Sequence, residues 1–254
     1  MWPLDRMRRR AVIRVGPDAL ELWATERAGL RLVGAERLAR RGSLYDALPL
    51  GDALGALCKR LGCRRALLVL ESAYAPVQLV DTGGALSSTS QLDALLRHRL
   101  ELAYGIPGSD IGTWRVRTDH RFGRRQALAF ALPKSVESAL RDAERSFALV
   151  FDAWVPALAW SLDRFRPWRT WPAGTGWWGW PEQDRLLLAY VAHGRVEAFN
   201  PALRTDASIP AIRRAIGFER ARSGSRCEAS SIGIGHWADG AIAQQVDDLA
   251  QAAA

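Results

Sequence analysis

The sequence predicts an α/β protein that is long enough for one large domain or two small lobes, with a compact α/β unit of its own in the middle. Short runs of alternating or continuous apolar residues predict strands, and longer runs with apolar residues three or four apart predict helices. Over residues 11–70 these runs follow the order strand, strand, strand, helix, strand. A separate group of strands and helices occupies residues 77–147, and a third group follows from residue 148. Such mixed order indicates α/β layers around more than one core.

The first lobe is assigned to residues 1–76. Its strands are predicted at 11–15, 20–25, 30–33 and 66–70. Gly16, Pro17 and Asp18 predict a turn between the first two strands. A helix before the last strand is indicated by apolar residues at spacings of 4, 3 and 4, which are Leu50, Leu54, Leu57 and Leu61.

The inserted subdomain is assigned to residues 77–147, and the rest of the fold to residues 148–254. In the subdomain, residues 76–81 are expected to be extended, a helix is predicted at 89–103, strands at 111–117 and 127–132, and a second helix capped by Ser135. The last part is expected to contain a strand at 148–151, a helix at 156–165, a hairpin at 186–199 and a helix from Ser208. A polar stretch at 223–230 precedes a final helix, which is predicted from the spacing of Ile242, Val246 and Leu249.

Residues 166–181 are predicted to be a loop because prolines interrupt the pattern. Five of the eleven tryptophans fall in this segment: Trp168, Trp171, Trp177, Trp178 and Trp180. Rigid aromatic side chains often dominate binding surfaces, so one interpretation is a partner-binding patch. The other is a loop that folds back and buries its rings.

The net charge of +8 comes almost entirely from arginine, since Lys59 and Lys134 are the only lysines among 35 basic residues. Basicity of this kind indicates an acidic partner, such as nucleic acid, anionic lipid or a carboxylate-rich protein surface. The alternative is an ordinary solvated surface. The arginines are spread along the chain and form no recognisable nucleic-acid module, so specific nucleic-acid binding is not expected.

Cysteine usage and hydropathy indicate a protein of the reducing cytoplasm. Cys58, Cys63 and Cys227 make neither a disulfide framework nor a zinc set, and buried thiols are expected. Residues 1–10 carry charge without a following apolar region, so they do not predict a signal peptide. No apolar run is long enough for a membrane-spanning helix, and membrane contact through arginines 6 and 8–10 would be peripheral.

Motifs for catalysis are absent from the sequence. It contains no G-x-x-x-x-G-K-[ST] loop, no G-x-S-x-G elbow and no metal-binding histidine spacing. His98 and His193 are expected on the surface. Gly233–Ala238 matches G-x-G-x-x-A, but only sixteen residues follow it, too few for a βαβ unit. We therefore predict no enzyme activity, no cofactor and no metal site.

The middle of the chain resembles a known family. Gln91–Leu96 leads to an aromatic-x-Ile-Pro turn, Tyr104–Pro107, and then to a strand from Ile111. The strand–helix–strand that starts at Ala131 continues the similarity. These segments resemble PilM and GspL, the actin-like proteins of type IV pilus and type II secretion inner-membrane platforms. The resemblance implies an actin-like, ribonuclease-H-like two-lobed fold with an inserted subdomain.

The sequence departs from the family where ATP-binding members hold nucleotide. In those members the first strand ends in Asp-x-Gly, which supplies a carboxylate near the metal and a glycine turn for the phosphates. The matching positions here are Arg14-Val15-Gly16, followed by Pro17, which has no N–H. Arg14, Gly16 and Asp18 are thus predicted to be a vestigial phosphate turn. Arg14 cannot ligate magnesium, although its guanidinium could pair a phosphate directly.

A second acidic signal is expected in the hairpin that opens the second lobe, and Leu188-Ala189-Tyr190 is predicted to replace it. The resemblance therefore implies a non-catalytic scaffold, cytoplasmic and peripheral at the bacterial inner membrane. Its expected partners are the cytoplasmic tail of a bitopic inner-membrane protein and the assembly ATPase, bound in grooves beside residues 77–147. The alternatives are a nucleotide-binding actin-like ATPase and an arginine-driven binder of nucleic acid or anionic membrane.

Overall fold

The structure is a computed structural model. It describes residues 11–26, 29–38, 48–83, 88–118, 126–182, 185–203, 209–223, 231–237 and 240–245. The chain divides into two compact units, Met1–Trp160 and Ser161–Ala254. The three-part division at residues 76/77 and 147/148 stays a prediction. No helix in the described ranges is long and apolar enough to span a bilayer.

The elements of the first unit are, in chain order, β1 (Ala11–Val15), β2 (Ala19–Glu26), β3 (Gly29–Arg37), α1 (Leu48–Leu61), β4 (Arg65–Leu70), β5 (Val77–Asp81), α2 (Thr89–Tyr104), α3 (Gly108–Ile111), β6 (Arg115–Thr118), β7 (Gln126–Leu132), α4 (Lys134–Phe147) and β8 (Val150–Pro156). Helix α5 (Ala157–Phe165) crosses the boundary between the units. The second unit continues with β9 (Thr175–Pro181), β10 (Arg185–Ala192), β11 (Arg195–Leu203), α6 (Ile209–Ser223), β12 (Ser231–His236) and β13 (Gly240–Gln245).

The main sheet of the first unit has the order β3-β2-β1-β4-β8, in which β1 is antiparallel to β2 and parallel to β4. Strand alternation directs Ile13 and Val15 into a core with the apolar stripe of α1 and with α4. Helices α1 and α4 approach closely because Gly51 has no side chain: a Cβ there would stand 3.2 Å from the carbonyl oxygen of Ala139.

A separate three-stranded sheet, β5-β7-β6, is built from the segment between β4 and α4. Helix α2 buries Leu92, Leu96 and Leu100. The aromatic-x-Ile-Pro turn has a structural role here, since the Tyr104 hydroxyl donates to the Val77 carbonyl at 2.6 Å and accepts from the Val77 N–H at 3.0 Å. The turn that carries the family resemblance thus fixes the end of α2 to β5.

The second unit has one sheet in the order β11-β10-β9-β12-β13. Its first four positions repeat the arrangement of the main sheet in the first unit: a three-strand antiparallel meander, a helix, and a strand parallel to the first. The sequence showed no internal repeat. The repetition is one of topology, and it identifies β9 as the counterpart of β1.

Most predicted elements are confirmed, and the exceptions have physical reasons. Residues 108–111 form helix α3, so the strand expected from Ile111 begins only at Arg115. Helix α4 starts at Lys134 after an extended Pro133, which places Ser135 inside the first turn and not at its cap.

Two larger predictions are wrong. Residues 175–181 are a strand and not a loop, because they pair with β10 along their whole length. Ile242 lies in strand β13 opposite Ile234 of β12, so the helix predicted from the spacing of Ile242 is wrong for residues 240–245. The other predictions at residues 1–10, 224–230 and 246–254, including Val246, Leu249 and Cys227, lie outside the described residues.

Candidate functional site

Arg14 lies at the carboxyl end of β1, on the face of the sheet opposite to the core formed by Ile13 and Val15. Its guanidinium donates to the carboxylate of Glu71 through both Nε and a terminal nitrogen. The other terminal nitrogen donates to Glu21 on β2 at 3.1 Å. Glu71 is completely buried, and the Arg14 side chain keeps 18% of its exposure. The base predicted at the vestigial phosphate turn is therefore held by two carboxylates.

The turn after β1 is compact and lies directly against Glu71. The Gly16 N–H donates to the Ala19 carbonyl at 3.0 Å, and the Glu71 N–H donates to the Val15 carbonyl at 3.0 Å. A Cβ at Gly16 would stand 3.3 Å from the Glu71 carboxylate, which is a tight contact, so the turn packs closely against this side chain. Of the predicted turn positions, Arg14 bonds Glu71 and Gly16 packs against it. The third position, Asp18, accepts a hydrogen bond from the Leu38 N–H through its backbone carbonyl.

The charges in this cluster favour the ionised guanidinium. Burial disfavours the charge on Arg14, but the attraction of Glu71 and Glu21 and their hydrogen bonds outweigh burial and raise the pKa of Arg14. One guanidinium and two carboxylates sum to a net charge of −1. Glu21 also accepts from the indole N–H of Trp23 at 3.1 Å, which fixes the carboxylate farther from the core.

Glu71 was not among the predicted site residues, although the sequence carries a signal for it. Glu71 directly follows the continuous apolar run of β4, and β4 is parallel to β1 with Val15 opposite Leu70. The carboxyl ends of adjacent parallel strands meet at one sheet edge, where open α/β sheets usually place functional groups. A charged residue immediately after a buried parallel strand was therefore a candidate neighbour for Arg14.

In the second unit, the turn equivalent to the one after β1 follows strand β9, whereas it was predicted in strand β10. Leu188, Ala189 and Tyr190, which were predicted to replace the second acidic signal, lie inside β10 and are buried. The counterpart of β1 is β9, and Glu182 follows it at once. The Glu182 N–H donates to the Arg185 carbonyl at 2.8 Å, as Gly16 does to Ala19, and Glu182 is completely buried. An acidic residue therefore does lie in this turn. Because residues 166–181 were predicted to be a loop, no strand was expected directly before Glu182.

The tryptophans of the predicted partner patch are mostly internal. Trp177, Trp178 and Trp180 have no exposed surface, and Trp171 is 6% exposed. Trp168, which is half-buried, is the member of the patch with partial exposure. This burial corresponds to the second interpretation of the segment, in which the rings fold into the protein.

Glycines on the neighbouring strand make room for these rings. A Cβ at Gly235 would lie 2.6 Å from ring atoms of both Trp178 and Trp180, and one at Gly233 would lie 2.9 Å from Trp178. The indole N–H of Trp178 donates to Ser161 Oγ at 3.1 Å. The Gly-x-Gly of residues 233–235 thus packs against aromatic rings.

Within the described ranges, no group of three or more His, Cys, Asp or Glu side chains could hold a metal ion. His98 and His193 are exposed, as predicted. Among the residues that the structure describes, Glu71 and Glu182 are buried carboxylates that directly follow a strand.

Comparisons with known proteins give structural similarity only. No family model and no curated protein matches the sequence. A Bacteroides thetaiotaomicron protein with an actin-like ATPase fold and unknown function has a TM-score of 0.58 at 10% identity, with 94% of this chain and 87% of that chain covered. A PilM–PilN type IV pilus biogenesis complex has a TM-score of 0.54 at 12% identity, with 83% of this chain and 65% of that chain covered. The cytoplasmic domain of EpsL, an inner-membrane component of the Vibrio cholerae type II secretion system, has a TM-score of 0.46 at 13% identity, with coverages of 86% and 78%.

The first two similarities extend over most of this chain. At identities of 10% and 12% they establish the fold and not the activity. The chain has the actin-like ATPase fold.

Proposed function

We propose that this chain is a non-catalytic, cytoplasmic scaffold at the bacterial inner membrane, in a type IV pilus or type II secretion platform. Its partner would be the cytoplasmic tail of a bitopic membrane protein, with the assembly ATPase as a second partner. The similarity to a PilM–PilN complex supports the choice of platform. The observation that carries the non-catalytic part is the ion-pair cluster of Arg14 with Glu71 and Glu21.

This cluster opposes nucleotide binding at the first turn in two ways. The guanidinium that could pair a phosphate already bonds two carboxylates. The cluster has a net charge of −1, which repels the phosphates of a nucleotide at short range. A magnesium ion bound there would have to displace Arg14 from Glu71, leaving the guanidinium partly buried without that partner.

Thermal unfolding in the presence of Mg-ATP tests the non-catalytic part. A ligand present at a hundred times its Kd stabilises the folded state by about 2.7 kcal/mol. In a chain of this size that corresponds to a rise in Tm of roughly 5–11 °C. We expect no saturable rise at millimolar Mg-ATP. A saturable rise would establish the ATP-binding alternative instead.

The tail-binding part is tested by titration calorimetry with peptides that match the cytoplasmic tails of bitopic membrane proteins encoded beside this chain. Leu102 on α2 provides a variant because its side chain is 63% exposed within the segment predicted to border the groove. We expect Leu102→Ser to weaken binding. The matched control is Phe218→Ser on α6, where the side chain is 76% exposed in the other unit.

Binding that survives Leu102→Ser and is lost in Phe218→Ser would refute a groove beside residues 77–147. Binding of no tail peptide, combined with strongly salt-dependent binding of nucleic acid or anionic vesicles, would support the arginine-driven alternative. The scaffold hypothesis requires tail binding that changes little with salt.

A further inference from the structure

Two thiols meet where α1 ends and β4 begins. Cys58 is buried in the main core of the first unit, and Cys63 is half-buried against the same cluster. The backbone holds them together: the Cys63 N–H donates to the Cys58 carbonyl at 2.9 Å, and Gly62 takes a left-handed conformation between them. Both side chains pack into one cluster, so the local backbone brings the two thiols close together in the fold.

The two thiols differ in exposure and in acidity. The hydrogen bond from Cys58 lowers the pKa of Cys63 to about 7, with burial acting against this and a backbone hydrogen bond with Arg65 acting with it. The same bond and burial raise the pKa of Cys58. A partly exposed, more acidic thiol beside a buried, less acidic one is the arrangement in which the first is oxidised and the second resolves it.

We propose that Cys63 and Cys58 form a reversible oxidation site that uses hydrogen peroxide as its oxidant. The Cys63 thiolate attacks one peroxide oxygen, the O–O bond breaks, and the departing hydroxide takes up a proton to leave as water. Cys63 then carries a sulfenic acid. The Cys58 sulfur attacks the Cys63 sulfur, the S–O bond breaks, and a second water leaves with the Cys58 proton. The product is a disulfide, and an external dithiol reduces it again.

Metal binding does not account equally well for the pair. Zinc in proteins takes four ligands, and within the described ranges no third His, Cys, Asp or Glu joins these two thiols in a possible metal group. The site lies apart from Arg14 and Glu71 and does not depend on the proposed scaffold function.

Peptide mapping of the whole chain tests the proposal, because trypsin cleaves at Lys59 and Arg60, between the two cysteines. After brief treatment with hydrogen peroxide and blocking of thiols, we expect the peptides 42–59 and 61–64 to appear as one cross-linked species. The reductant dithiothreitol should separate them. Separate, blocked peptides after peroxide treatment would overturn the proposal, as would a sulfinic acid on Cys63 without a cross-link.

Three variants assign the roles. Cys227→Ser is the matched control and should leave the cross-link intact; its loss there would show that the disulfide involves Cys227. In Cys58→Ala, dimedone should label Cys63 as a sulfenic acid. In Cys63→Ala, the buried Cys58 should stay reduced, and its oxidation would refute the assigned order. If a core variant fails to fold, the mapping of the unmodified chain still decides the proposal.

Discussion

Replacing Arg14 with methionine is expected to destabilise the first unit by about 3 kcal/mol. Methionine has a similar length but no charge, so Glu71 would keep a completely buried carboxylate and lose its guanidinium partner. Removing one member of a buried ion pair typically costs about 3–5 kcal/mol. The lower end applies because Arg14 and Glu21 keep 18% and 23% of their exposure, which lets water solvate part of the cluster.

Thermal unfolding followed by circular dichroism measures this loss. For a chain of this size, 1 kcal/mol changes Tm by roughly 2–4 °C, so the expected decrease is about 6–12 °C. Arg31→Met is the matched control, because Arg31 makes an exposed pair with Glu26 in the same sheet, with exposures of 62% and 46%. Such surface pairs contribute less than about 1 kcal/mol.

A double-mutant cycle completes the test. Arg14→Met combined with Glu71→Gln should cost less than the sum of the two single changes, with a coupling of roughly 1–3 kcal/mol. If the two single changes in the free energy of unfolding simply add, the view that the pair stabilises the turn is refuted. The same holds if Arg14→Met loses no more stability than Arg31→Met.

Three other predictions concern packing and acidity. Gly235→Ala should destabilise the second unit by roughly 1–3 kcal/mol, since the new methyl group would lie 2.6 Å from two buried tryptophan rings. Its control is Gly217→Ala in α6, which has open space around it and should stabilise the unit by about 0.5–1 kcal/mol in the same unfolding assay. Equal changes in stability for the two variants would contradict this reasoning. Trp178→Phe should cost about 1–3 kcal/mol by removing the buried bond to Ser161, as denaturant unfolding would show, and an unchanged free energy of unfolding would contradict this. Alkylation of Cys63 by iodoacetamide, followed by mass spectrometry, should reach half its maximal rate near pH 7 and slow as pH falls. The reason is that the reactive thiolate is present above the lowered pKa of Cys63, which is about 7. A midpoint above about pH 8 would contradict the lowered pKa.

The predicted elements show where sequence patterns are sufficient. The stripe of Leu50, Leu54, Leu57 and Leu61 predicted α1, and the apolar run of residues 66–70 predicted β4. These patterns succeed because burial of one helix face or of a whole strand requires apolar residues at fixed spacings. A strand that lacks these spacings was predicted wrongly: β9 mixes tryptophan with glycine and ends at a proline, a composition typical of loops.

By itself, the sequence determined the α/β class, the order of most strands and helices, and the presence of Arg14 and Gly16 where the first strand ends. These are local properties, set by periodicity and residue type. The tertiary structure decided what Arg14 contacts, because its partner Glu71 is 57 residues away and meets it only through the parallel register of β1 and β4. It also decided that Glu182 directly follows β9, the strand equivalent to β1, since strand order in a sheet depends on long-range pairing that no local pattern records.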